Sequence, residues 1–241
     1  MNNDYFNGMN TVINDGTLSA GLNKFMTKVF GLMFLGLLVT AGTALAAMMY
    51  IINNMETFNP VVYWGCAIAA LVLAMVLSGG INRISIGVAH FIFFIYAAIN
   101  GVWLSFVLLA YAGSGAVFTA FIMAAIFFAV MAVFGLTTQA DLTSAGKIFM
   151  AGLIAIIIAS VVNIFFLRSD MLDTIICIAG IGIFAGLTAY DTKRLKDFYL
   201  IEAQTAGAAV ASKVAILGAL KLYLDFINLF LFLLRILGRK R

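Results

Sequence analysis

The stretch LGALKLYLDFINLFLFLLRILG, Leu217 to Gly238, decides how the rest of the chain is read. It is long enough to cross a bilayer, which takes about 20 residues, yet Lys221, Asp225 and Asn228 lie inside it. At about 100° per residue, positions 221, 225, 228, 232 and 235 fall on one narrow stripe reading Lys, Asp, Asn, Phe, Arg. The rest of the helical surface is Leu, Ile, Phe and Tyr. A charge at bilayer depth costs at least about 2.5 kcal/mol on insertion scales, so it normally faces protein or water and marks function. A helix that is apolar nearly all round, with a single polar stripe, suits the centre of a bundle.

Composition agrees with a membrane setting. Of 241 residues, 64% are apolar and 10% charged, and the mean hydropathy is +1.12. Soluble domains carry about 25% charged residues, so the chain reads as an integral membrane protein with no room for a soluble catalytic domain. The net charge of +4 is modest and informs orientation loop by loop. No basic, aromatic-interleaved surface offers itself to nucleic acid. Cys66 and Cys177 both fall in apolar runs, with neither a disulfide framework nor a metal-ligand spacing. They read as small buried apolar residues.

Residues 1–23 are polar, rich in Asn and Gly, and without periodicity, which predicts a flexible leader ahead of a membrane domain over 24–241. Lys24 and Lys28 precede an apolar run in which Ala44-Leu45-Ala46 resembles a signal-peptidase site. The run continues through Ile52, too long for a signal sequence, so it is the first span. Further spans are expected at about 61–78, 86–110, 114–136, 147–167, 171–190 and 214–237, each near the length that a bilayer needs. The fold class is therefore an all-α integral membrane protein with seven transmembrane helices, the last one central. Only the connection from Thr192 to about Lys213 reads as a long loop.

Seven spans put the termini on opposite sides. With the N-terminus cytoplasmic, Lys24, Lys28, Arg83, Lys147, Lys193, Arg194, Lys196 and Lys213 lie inside, and Arg168, Arg235, Arg239, Lys240 and Arg241 outside. Early charges and short loops dominate orientation, which favours N-inside in the cell inner (plasma) membrane. The basic tail also suits a last span that re-enters rather than crosses.

The sixth span carries Gly180, Gly182 and Gly186, of which the last two form a small-xxx-small face for a neighbouring helix. It ends at Thr188-Ala189-Tyr190-Asp191-Thr192, so Asp191 sits on the side where the seventh span begins, shallower than Asp225 by one to two turns. A helical hairpin brings the two carboxylates within reach. Facing each other in low dielectric, such groups share a proton and titrate as a unit, a pH-sensitive latch. The plain structural alternative pairs Asp191 with Arg194 or Lys193, and Asp225 with Lys221. His90, Asn100, Ser105, Ser160 and Asn163 read chiefly as interhelical or interfacial hydrogen-bonding groups.

The segments TAYDTKRLK at 188–196 and 217–238 resemble the sixth and seventh spans of the Bax-inhibitor-1 (transmembrane Bax inhibitor motif) family, in its bacterial branch. The likeness extends to GVAHFIFFIYAAINGVWLS ending at Ser105 and to TTQADLTSAGK at 137–147. It implies seven helices with the last enclosed by the other six, and a pH-dependent calcium leak gated by Asp191 and Asp225. Those two aspartates would also be the transient cation contacts, with no other cofactor. Some bacterial members are linked to control of a membrane-bound AAA protease. Two positions depart from the family pattern. Lys221 stands where bacterial relatives usually carry a small or hydroxyl residue, and it would neutralise a neighbouring carboxylate and repel a divalent cation. The family latch engages an arginine near the end of the second span, for which Arg83 is the sole candidate, offset by Ser78-Gly79-Gly80.

Three function classes compete. A leak needs weak, partial oxygen coordination, which two carboxylates, carbonyls and water supply, with Asn228 on the same stripe. An intramembrane aspartyl protease also uses two aspartates, but Asp225 follows Leu222-Tyr223-Leu224 rather than GxG, and the sole proline is Pro60. Gly113-Ser114-Gly115 lacks the context of a serine nucleophile, so an enzyme is not expected. The runner-up is a non-transporting modulator that binds another membrane protein, such as an AAA protease, through the leader and the basic tail. Removing residues 1–20 would abolish that role and spare a leak.

Overall fold

The structure is a computed structural model that describes the backbone of residues 3–54 and 60–239, and side chains in that range except at 3–15, 60, 63 and 203–206. Residues 55–59 of the first connection and Lys240 and Arg241 of the basic tail lie outside the described residues. The helices are α1 (Asn3–Asn53), α2 (Pro60–Gly80), α3 (Ile86–Ala110), α4 (Ala116–Thr137), α5 (Thr143–Val162), α6 (Asp170–Ile201) and α7 (Ala203–Gly238). All seven are long and apolar enough to cross a membrane, and no strand occurs among the described residues. The chain is an all-α integral membrane protein.

The ends are built by local polar chemistry. Ser85 accepts from the Val88 N–H at 3.3 Å to start α3, and Ser169 accepts from Leu172 N–H at 3.3 Å to start α6. Asp170 and Asp173 occupy the first turn of α6, where the helix dipole favours anions. A π turn at Asn163–Leu167 closes α5, and the Asn163 amide brackets the Ser169 backbone from both sides. A 3-10 turn, Ile81–Arg83, follows α2. Lys196 donates to the Leu136 carbonyl at the end of α4, Lys213 to Asn82, and Lys28 to Ser212. These bonds gather the middle of α1, the segment just after α2, the end of α4 and the adjoining parts of α6 and α7 on a common face.

The last helix is the axis. It packs against α1, α2, α3, α4 and α6 and is the most buried of the seven spans, as its sequence predicts. Leu222, Tyr223, Leu229 and Leu234 are sealed from the surface. α5 leans on α6. Helices meet closely where glycine removes a side chain: Gly101 of α3 lies on the Thr40 carbonyl of α1, and Gly135 of α4 on the Ala189 carbonyl of α6.

Several expectations change. The connection after Thr192 is not a long loop, because α6 continues to Ile201 and α7 starts at Ala203. The charges that end the apolar run extend the helix through an i,i+4 pair, Lys193 to Asp197 at 3.1 Å. The reversal is concentrated near Glu202 and Gly207, whose φ of 81° is a left-handed conformation that suits glycine. Gly182 does not pack; its Cβ position is open, and the close approaches on α6 are Gly180 to Phe232 and Gly186 to Phe149. The seventh span is one helix that runs antiparallel along the sixth, with Arg235 near its end reaching Asp173 at the start of α6.

Candidate functional site

Four residues of the α7 stripe, Lys221, Asp225, Asn228 and Phe232, line a cavity of about 800 Å³ between α5, α6 and α7. Asp191 and Arg194 of α6 line the same cavity. The two carboxylates thus share one chamber, and both residues are buried. They are brought there by the antiparallel packing of α6 on α7, in which Leu195 sits over Gly218 and Phe232 over Gly180.

The ammonium of Lys221 stands 3.6 Å from an Asp191 carboxylate oxygen. Its ion pair is therefore with the neighbouring helix and not with Asp225 one turn along its own, though it remains close enough to act on Asp225 as well. Asp225 has Asp191 and Lys221 as its charged neighbours, and its Oδ2 is buried without a hydrogen-bond partner. Such a buried atom is costly unless a proton, a water or an ion meets it. Lys193, an alternative partner for Asp191, is engaged by Asp197. Arg194 acts on Asp191 through space. The Asn228 amide donates to the Leu224 carbonyl at 2.8 Å. Arg83 is exposed in its 3-10 turn, does not line the cavity, and forms no ion pair among the described residues.

A smaller polar cavity of about 340 Å³ shares Tyr190 and Arg194 with the first, and includes Asp141, Lys193, Asp197 and Glu202. Asp141 accepts from the Thr143 N–H at 2.8 Å, and hydrogen bonding from Thr143 holds its carboxyl below the usual carboxylate range. Tyr190 and Arg194 thus stand between the smaller polar cavity and the chamber that holds the aspartate pair. No group of three or more His, Cys, Asp or Glu suited to a metal occurs among the described residues.

Two features escaped sequence reading. At the far end of α6 and α7, Arg235 pairs with Asp173, and Arg239 reaches Asp170 and, at 3.1 Å, Asp173. Deep in the core, the Tyr223 hydroxyl receives the Asn100 amide at 2.8 Å and bonds the Thr40 hydroxyl at 2.7 Å, joining α7, α3 and α1. The available signal was a tyrosine on the apolar face of a central helix, whose hydroxyl needs a partner when buried. Asn100 is interhelical as expected. His90 contacts the Ile86 carbonyl one turn back at 2.9 Å, and Ser105 donates to Val102 within its own helix at 2.6 Å. Ser160 lines the larger cavity.

These features define a polytopic membrane protein whose central helix holds a buried carboxylate facing a second one on its neighbour. The family model described as Inhibitor of apoptosis-promoting Bax1 matches residues 22–241, and the chain belongs to that family. It is 41% identical over 223 residues to "Inner membrane protein YbhL" of Escherichia coli (strain K12), covering 92% of this chain and 94% of that one. It is 37% identical over 242 residues to "Uncharacterized protein RP147" of Rickettsia prowazekii, covering 99% of each. A Borreliella burgdorferi relative is 42% identical over 226 residues, 91% of this chain and 93% of its own.

Proposed function

We propose that this protein is a pH-sensitive cation leak of the inner membrane, with calcium as a permeant ion and Asp191 and Asp225 as its gate. One observation carries the reading: both carboxylates line a single cavity beside the central helix, with one ammonium, Lys221, between them. Asp191, Asp225 and Lys221, taken by themselves, leave one negative charge when all are ionised, with Lys147 and Arg194 farther out on the same cavity wall. A shared proton removes that charge and links α6 to α7 by a hydrogen bond, and the pair then titrates as a unit. As pH rises, the second proton leaves, the carboxylates repel, and a cation replaces the proton. Calcium prefers six to eight oxygens in a resident site, so two carboxylates with water and carbonyls hold it weakly enough to let it pass. Lys221 opposes that passage and makes the leak small. The inner-membrane placement follows the name of the Escherichia coli relative. The role is non-enzymatic, since neither aspartate carries the motif of an intramembrane protease.

Calcium entry into dye-loaded proteoliposomes across pH 5–8 tests the proposal. Flux should rise with pH, Asp225→Asn and Asp191→Asn should each flatten that rise, and Lys221→Ser should raise flux at every pH. Wild-type liposomes no leakier than empty ones across the range would overturn it.

A further inference from the structure

The larger cavity has a second character, set by its other walls. Lys147 of α5 and Arg194 of α6 line it together with Lys221, so three cations ring one end. Lys147 and Arg194 are exposed and have no hydrogen-bond or ion-pair partner among the described residues. Below them the wall is apolar, and its members Leu71, Ile157 and Ile164 are themselves open to the lipid side, at 61%, 55% and 58% exposure. The cavity is thus a crevice that opens sideways between α2 and α5, cationic at one end and apolar along its length.

Depth fits the same occupant. Asp191, which Lys221 meets, lies about 27 Å of helix from Asp173 at 1.5 Å per residue, close to the roughly 30 Å of a hydrocarbon core. The three cations therefore stand at the level of lipid headgroups on the face shared by the ends of α4 and α6. The volume of about 800 Å³ is that of a ligand-sized cavity rather than a packing defect. Three cations against two carboxylates leave this end with a net positive charge: Asp191 is met by Lys221 and acted on by Arg194, Asp225 lies one turn deeper along α7, and Lys147 and Arg194 remain without an ion pair among the described residues.

We propose that this crevice binds an anionic phospholipid, its phosphate held by Lys147 and Arg194 with Lys221 beside them, and an acyl chain laid along the apolar wall of α5. A lipid so seated stands across the approach to Asp191 and Asp225. The proposal does not rest on the leak, because it is read as bound lipid and survives a protein that passes no calcium.

The test is native mass spectrometry of the full chain in detergent, titrated with phosphatidylglycerol and, separately, phosphatidylcholine. Phosphatidylglycerol should be retained in preference. Lys147→Gln with Arg194→Gln should lower that preference by about tenfold or more, as expected for two cations lost beside an anionic headgroup. Lys24→Gln with Lys28→Gln, equal in charge but outside the cavity, should leave the preference unchanged. Ile157→Trp, which keeps every charge and fills the apolar crevice, should reduce retention of the lipid and tests the site even if the double variant fails to fold. Equal retention of both lipids, equal loss in the Lys24/Lys28 control, or displacement of phosphatidylglycerol by inorganic phosphate would each overturn the proposal; the last would mean a free-anion site.

Discussion

At the scale of single residues, two polar groups on α7 behave oppositely although they are two positions apart. Tyr223 is fully satisfied, with Thr40 and Asn100 both bonded to its hydroxyl and Tyr96 packed edge-on at 5.6 Å. Asp225 faces the cavity with an oxygen unpaired. The first ties three helices together, and the second is the group that the proposed leak would use to take a proton or a cation. Tyr223→Phe removes a hydroxyl that two buried groups use, and should destabilise the folded protein by about 1–2 kcal/mol, the upper range for interhelical hydrogen bonds in membranes. Thermal unfolding in detergent checks this, and an unchanged midpoint would show that Thr40 and Asn100 find other partners. Asp225→Asn replaces an orphaned carboxylate by a neutral amide of the same shape. It should not lower the unfolding midpoint, even where the pH response of flux is lost.

At the scale of elements, α6 and α7 form an antiparallel pair closed at both ends, by Lys221 with Asp191 at one and by Arg235 and Arg239 with Asp173 and Asp170 at the other. The second clamp places acids at a helix N-terminus and bases at a helix C-terminus, each favoured by the local dipole. Its members are partly exposed, so a double-mutant cycle on Asp173→Asn and Arg235→Gln should give a coupling of about 1 kcal/mol or less that shrinks in high salt. Helix pairs elsewhere depend on backbone approach. Gly101→Ala drives a methyl into the Thr40 carbonyl and should destabilise strongly, whereas Gly182→Ala enters open space and should be neutral or slightly stabilising through helix propensity. Unfolding midpoints of the two variants, compared directly, check the contrast; equal midpoints would remove close α1–α3 packing as the cause.

At the scale of the whole molecule, an odd number of crossings puts positions 213 and 168 on opposite sides. In a background with Cys66 and Cys177 replaced, a thiol at 213 should react with a membrane-impermeant reagent only after cells are opened, and one at 168 should react in intact spheroplasts. The reverse pattern would invert the N-inside orientation. Sequence alone determined that the chain is a seven-helix membrane protein, because hydropathy and span length answer directly to bilayer thickness. It also determined that Lys221, Asp225, Asn228 and Phe232 share a face, because angular spacing along one helix is local geometry. The tertiary structure decided which partners those residues meet. Lys221 is spaced to serve Asp225 yet bonds Asp191, and Arg235 finds Asp173 across 62 positions; such choices depend on how two helices are rotated and staggered, which no local period encodes. It also decided that α6 outlasts its apolar run, since hydropathy ends at the membrane surface while backbone hydrogen bonding continues beyond it.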